Sequence, residues 1–159
     1  MKTLCLYYSR TNTTKAAMER LAELLGADIA EYTDGKDRSG VMSYIGACFA
    51  SMKKTLPEIT IRGDVSLASY DRVIIGMPIW VEGPSVMGKA LIRKYRDKLP
   101  QDVYYAVTHM AKIGYESKIE ALDELLGRPS SGYVSLQTKD HDYLKDAEAF
   151  AARIKADTV

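Results

Sequence analysis

Residues 3–14, TLCLYYSRTNTT, decide how this chain is read. An apolar β-type run from Leu4 to Tyr8 ends abruptly in hydroxyl and amide side chains, and a helical pattern starts at once. A strand that turns into a helix N-terminus gathers free backbone N–H groups and the positive end of the helix dipole, which together favour an anion. Ser9, Thr11, Asn12, Thr13 and Thr14 add side-chain donors. The chain contains no Gly-x-Gly-x-x-Gly and no Gly-x-x-x-x-Gly-Lys-Ser/Thr, so the dinucleotide and nucleoside-triphosphate fingerprints are absent. The loop suits one phosphate monoester held mainly by neutral donors. Ser, Thr and Asn are also ordinary cap and turn residues, so the loop alone is equally compatible with a plain βα turn.

Outward from this stretch, strand and helix patterns alternate to the end of the chain. Strands are expected at 3–8, 28–32, 72–77, 103–108 and 133–138, and helices at 13–25, 41–55, 84–96, 116–126 and 142–155. In the first helix Ala17, Met18, Leu21, Leu24 and Leu25 share a face, and Gly26 supplies the stop. In the second, Tyr44, Ile45, Cys48, Phe49 and Met52 have helical spacing. The run Val73-Ile74-Ile75 is continuously apolar, as a strand covered on both faces requires. Five βα units predict an α/β fold: a doubly wound, five-stranded parallel sheet with helices on both faces, in one domain spanning 1–159. Ligands of such sheets bind at the strand carboxyl ends where the winding reverses.

Bulk properties narrow the function. The 159 residues are 47% hydrophobic with a formal net charge of +1, which fits an ordinary globular core and gives no basic excess for nucleic acid. The longest apolar stretch, Val73 to Val81, is broken by Gly76 and Pro78 and is far too short to span a membrane. No signal peptide is read at the N-terminus, so a cytoplasmic protein is expected. Cys5 and Cys48 are expected to be structural, because no Cys-x-x-Cys or Cys/His cluster points to a metal or redox pair.

Three loops follow the first, third and fourth strands and should converge. The second, Met77 to Pro84, holds the only tryptophan, Trp80, between prolines; the third, Thr108 to Tyr115, holds His109 and Gly114. One end would bind phosphate and the other would offer aromatic faces and amide edges, as a phosphorylated planar heteroaromatic needs. Trp80 reads as a pocket residue, against a core or interface tryptophan. Tyr115 is either a ring contact or a helix opener. His109 could donate a proton, although an exposed loop histidine is the ordinary reading. Lys89, Arg93, Lys94, Arg96 and Lys98 read as a solvated face, with an acidic partner or a pyridine-nucleotide phosphate as the alternative.

The segments SRTNTT and YDRVIIGMPIWVEGPSVMGKAL resemble the flavodoxin family, and SYIGACFASMKKTLPEI resembles members with a helix there. That family carries Ser/Thr-x-Thr-Gly-x-Thr after the first strand and a Tyr-Asp, apolar, Gly-x-Pro-x-Trp stretch at the third. The resemblance implies the strand order 2-1-3-4-5 and FMN as cofactor. It places Ser9, Thr11, Asn12, Thr13 and Thr14 on the 5′-phosphate, with the cations Arg10 and Lys15 close by. Pro78, Ile79, Trp80, Val81, Glu82 and Gly83 would line the isoalloxazine, and Thr108, His109, Met110 and the segment through Gly114 to Tyr115 would border its other side. Asn12 stands where the family has glycine, and asparagine tolerates left-handed backbone better than most residues. The third loop lacks the family's acidic or glycine-rich character. Near-neutral charge, with Lys112 and His109 beside Glu82, predicts a reduced flavin less destabilised than in acidic shuttles. The implied function is electron transfer through FMN with a redox partner protein. The alternatives are an FMN enzyme using NAD(P)H and a small acceptor such as a quinone, or a binding module without flavin. A homodimer is left open.

Overall fold

A computed structural model describes residues 1–36, 56–80, 83–111, 115–139 and 141–158. The helix expected over 41–55, with Tyr44 and Cys48, lies outside the described residues, as do Val81, Glu82, Lys112, Ile113 and Gly114.

Strands β1 (Thr3–Tyr7), β2 (Asp28–Thr33), β4 (Arg72–Trp80), β6 (Asp102–His109) and β7 (Gly132–Gln137) form the parallel body of the sheet. Their order is β2-β1-β4-β6-β7, which is the expected 2-1-3-4-5. Two two-residue strands go beyond the five-stranded expectation: β3 (Thr60–Ile61) pairs antiparallel with β2, and β5 (Gly83–Pro84) pairs antiparallel with β4. Both are too short for periodicity to signal.

Four helices among the described residues cover the sheet: α1 (Thr13–Leu25), α2 (Val86–Tyr95), α3 (Glu116–Leu126) and α4 (Tyr143–Ala156). Side-chain alternation along the strands builds both cores. Leu4, Leu6, Val73, Ile75, Val103 and Val107 pack with Met87 and Leu91 of α2 and Ile119 and Leu122 of α3. Cys5, Ile74, Tyr104 and Ala106 pack with Met18 and Leu21 of α1 and Phe150 and Ile154 of α4. The uninterrupted apolar strands are thus two interleaved half-patterns, one for each helical layer.

Gly76 is required by α1, since a Cβ there would stand 2.5 Å from both Cγ and Sδ of Met18. Its carbonyl accepts from the Tyr32 hydroxyl at 2.9 Å and from the Tyr8 N–H at 3.2 Å. The third strand runs three residues further than expected, through Pro78 to Trp80. β1 pairs β4 only as far as Gly76, so Pro78 faces no ladder acceptor on that side and its missing N–H costs nothing there. The anticipated loop 77–84 is therefore a hairpin, with Ile79 opposite Pro84 and Trp80 opposite Gly83. No described helix is long and apolar enough to cross a membrane.

Candidate functional site

The chain leaves β1 toward β2 on one side and later returns to lay β4 on the other, which opens a crevice at the carboxyl ends of these strands. The turn at its mouth is set by Asn12, whose φ of 64° and ψ of 0° are left-handed. It is the sole non-glycine residue with positive φ among those described. Asn12 occupies the N-cap position of α1 but its side chain makes no capping bond. The first N–H groups of α1, which have no intrahelical acceptor, therefore receive none from this side chain.

An open cleft of about 140 Å³ lies at this point. Ser9, Arg10, Thr11, Thr13 and Thr14 form its floor at the helix terminus. Pro78, Ile79 and Trp80 form one wall, and Thr108, His109, Met110 and Thr138 form the other. None of these is a carboxylate, and no group of three potential metal ligands exists among the described residues.

The floor has unused bonding capacity. The Ser9 Oγ is buried and has no hydrogen-bond partner. Leaving a buried hydroxyl unsatisfied costs about 1–3 kcal/mol. The Thr11 and Thr13 hydroxyls lie 3.4 Å apart on the open side. Thr14 differs: its hydroxyl is buried and meets that of Thr108 at 2.7 Å, which ties α1 to the end of β6. Lys15, on the outer side, pairs with Glu19 at 3.7 Å.

Trp80 is at once core and cleft residue. It is 3% exposed, and its ring meets Tyr8 edge-on with centroids 5.7 Å apart. His109 departs from the exposed-loop expectation, being 8% exposed and the last residue of β6. β7 runs alongside to Gln137, so the strand continues where a loop was anticipated. Nδ1 lies 2.7 Å from the Ala111 carbonyl and Nε2 lies 2.6 Å from the Ser135 hydroxyl. A carbonyl only accepts, so Nδ1 carries hydrogen and, in the neutral ring, Nε2 accepts from Ser135. Tyr115 packs on the far side of this imidazole, with ring centroids 4.7 Å apart, and burial raises its phenol pKa.

Asn12, Gly83 and Tyr115 thus shape the cleft from behind, whereas the other described candidates line it. Sequence reasoning missed Thr138, Ser135 and Tyr8. Thr138 donates to the His109 carbonyl through both its N–H, at 2.8 Å, and its hydroxyl, at 3.2 Å. Pairing of β7 with β6 brings Thr138 and Ser135 to the site, whereas Tyr8 follows β1 and is fixed by its N–H bond to the Gly76 carbonyl.

A sheet wound both ways from β1, with a hydroxyl-lined crevice at the reversal, defines a doubly wound α/β protein with an open cleft at its switch point. Among solved structures it is similar to a flavoprotein in complex with FMN from Lactobacillus acidophilus, at 24% identity over 84% of this chain and 92% of the other, with a TM-score of 0.70. A candidate flavoprotein from Bacteroides uniformis gives 21% identity over 97% of both chains and a TM-score of 0.73. The two-electron reduced flavodoxin of Megasphaera elsdenii gives 12% identity over 96% of this chain and 99% of the other, with a TM-score of 0.55. No family model and no curated protein sequence matches the chain. The chain has the flavodoxin-like fold.

Proposed function

We propose that this chain is an FMN-binding redox protein, with the cofactor's phosphate on the floor of the cleft and its ring between the two walls. The single observation that carries the reading is the buried, unpartnered Ser9 Oγ beside an uncapped helix terminus. Ser9, Thr11 and Thr13 donate hydroxyl hydrogen bonds to the phosphate, Arg10 offsets its charge, and the dipole of α1 adds to both. The absence of carboxylates among the described lining residues keeps the floor free of repulsion. Ile79 and Trp80 supply apolar contact on one side. His109, fixed in one orientation by Ala111 and Ser135, presents a rigid edge on the other. When bound, FMN supplies reversible one- and two-electron transfer, while the protein sets its affinity and potential. The cleft is smaller than the roughly 300–1,000 Å³ pockets that enclose a whole ligand. The second reactant in this reading is a partner protein or NAD(P)H and a small acceptor.

Titrating the purified chain with FMN and with riboflavin tests the reading. The visible bands should shift on binding FMN, and riboflavin should bind at least tenfold more weakly because it lacks the phosphate. Equal affinity for the two flavins would show that the floor does not hold a phosphate.

A further inference from the structure

A second, half-open cavity of about 380 Å³ lies at the other end of the sheet from the cleft, between the amino ends of β6 and β7 and the last turn of α4. Its volume falls in the roughly 300–1,000 Å³ range of small-molecule sites. Aromatic rings line it. Tyr104 and Phe150 meet edge to face with centroids 5.8 Å apart, and Tyr133 of β7 joins them. Tyr104 also packs against Arg72, whose Cζ lies 5.5 Å from the ring centroid and whose guanidinium is paired with Asp102 at 2.6 Å. Gly132, opposite Tyr104 in the sheet, keeps one edge of that ring clear: its φ is 154°, and a Cβ there would stand 3.4 Å from Cδ1 and Cε1 of Tyr104.

The lining carries one charge of each sign. Arg153 donates from Nη2 to the Tyr133 carbonyl at 3.1 Å, and its Cζ lies 5.2 Å from the Phe150 ring centroid. One of its five N–H donors is used in this way, and no carboxylate among the described residues takes the others. Asp157, one helical turn further on, is the C-cap of α4 and makes no ion pair with Arg153 or with any other described residue. Covering the free edge of β7 accounts for the bond from Arg153 to Tyr133. It does not account for an aromatic cavity lined by an unpaired cation and an unpaired anion. A simple carboxylate placed there would meet Asp157, and a simple amine would meet Arg153, whereas a zwitterion is complementary to both. Positions four apart on a helix are separated by about 6 Å along its axis, which suits two charged groups borne on one carbon. The last carbonyls of α4 and the negative end of its dipole add to the ammonium side. We propose that this cavity binds a free aromatic amino acid, with its ring against Tyr104 and Tyr133, its carboxylate on Arg153 and its ammonium on Asp157. The assignment does not rest on the FMN reading, since cavity and cleft share no lining residue.

Titration of the full chain with L-phenylalanine, followed by ¹H–¹⁵N NMR with and without FMN, tests the assignment. The amides of residues 131–133 and 153–157 should shift in a saturable way under both conditions, and those of residues 9–14 should not. 3-Phenylpropionate, which lacks the ammonium, and phenethylamine, which lacks the carboxylate, should each bind at least about tenfold more weakly, the loss of one charge-assisted contact. L-Alanine, which lacks the ring, should also bind more weakly. Arg153→Gln and Asp157→Asn should each lower phenylalanine affinity by about tenfold. Lys155→Gln, on the same turn but outside the lining, should change it less than about twofold. Both lining residues are exposed, so the thermal midpoint read by circular dichroism should stay put in these variants and show that they fold. Absence of shifts with phenylalanine would overturn the site, as would unchanged affinity in both lining variants or an equal loss in Lys155→Gln. Equal binding of either single-charge analogue would overturn the zwitterion, and equal binding of alanine would overturn the aromatic contact. Shifts of the same amides with protein concentration alone, insensitive to phenylalanine, would overturn the site in favour of an interface between copies of the chain.

Discussion

The left-handed backbone at Asn12 makes a quantitative prediction, because its side chain makes no capping bond that a substitution could remove. A residue with a Cβ pays about 1–2 kcal/mol for this conformation, asparagine less than most, and glycine nothing of that kind. Asn12→Gly gives up only a few tenths of a kcal/mol as an N-cap change, so it should be neutral or stabilising by up to about 1 kcal/mol. Asn12→Ala keeps the Cβ, loses asparagine's tolerance of the left-handed region, and should destabilise by about 1 kcal/mol. The two variants should therefore differ by about 1–2 kcal/mol. In a chain of 159 residues each kcal/mol moves the midpoint by about 2–4 °C. Urea unfolding followed by far-ultraviolet circular dichroism measures the difference as a midpoint change at constant m-value. The same turn aims the first N–H groups of α1, so Asn12→Gly should keep the preference for FMN over riboflavin and Asn12→Ala should reduce it. An alanine variant as stable as the glycine variant would refute the strain argument.

Three further outcomes follow from other contacts. Gly76→Ala should cost about 1–3 kcal/mol by driving a methyl into Met18, and the cost should largely vanish in a Met18→Ala background, as a double-mutant cycle in urea would report. Thr11→Ala with Thr13→Ala should weaken FMN by about 3 kcal/mol, roughly a hundredfold, while riboflavin affinity measured by fluorescence stays put. Burial raises the Cys5 thiol to about 12, so below that pH the folded protein holds it as the unreactive thiol. Iodoacetamide at pH 8, read by peptide mass spectrometry, should label Cys5 only after unfolding.

Much of the fold was legible because its signals are local. The spans of α1 and α3 follow from apolar spacing and the stops at Gly26 and Gly127, whose φ values are positive. The strand order came from resemblance. What periodicity could not show were the two-residue strands β3 and β5, or the extensions of β4 to Trp80 and β6 to His109. A strand continues past a proline when its neighbour has already ended, and that depends on register.

The same limit explains which parts of the cleft the sequence exposed. Ser9 to Thr14 are neighbours in the chain, so their clustered hydroxyls announced an anion floor before any fold was known. The walls are assembled from distant partners. Thr14 meets Thr108 across 94 residues, and His109 meets Ser135 across 26. Each bond exists only once β6 has been inserted between β4 and β7. These contacts change what the local reading implied. The Thr14 hydroxyl is engaged with Thr108, which leaves Ser9, Thr11 and Thr13 as the hydroxyls offered to the floor. His109 is held at both ring nitrogens, by the Ala111 carbonyl at Nδ1 and the Ser135 hydroxyl at Nε2. A histidine in that setting is a wall of fixed shape.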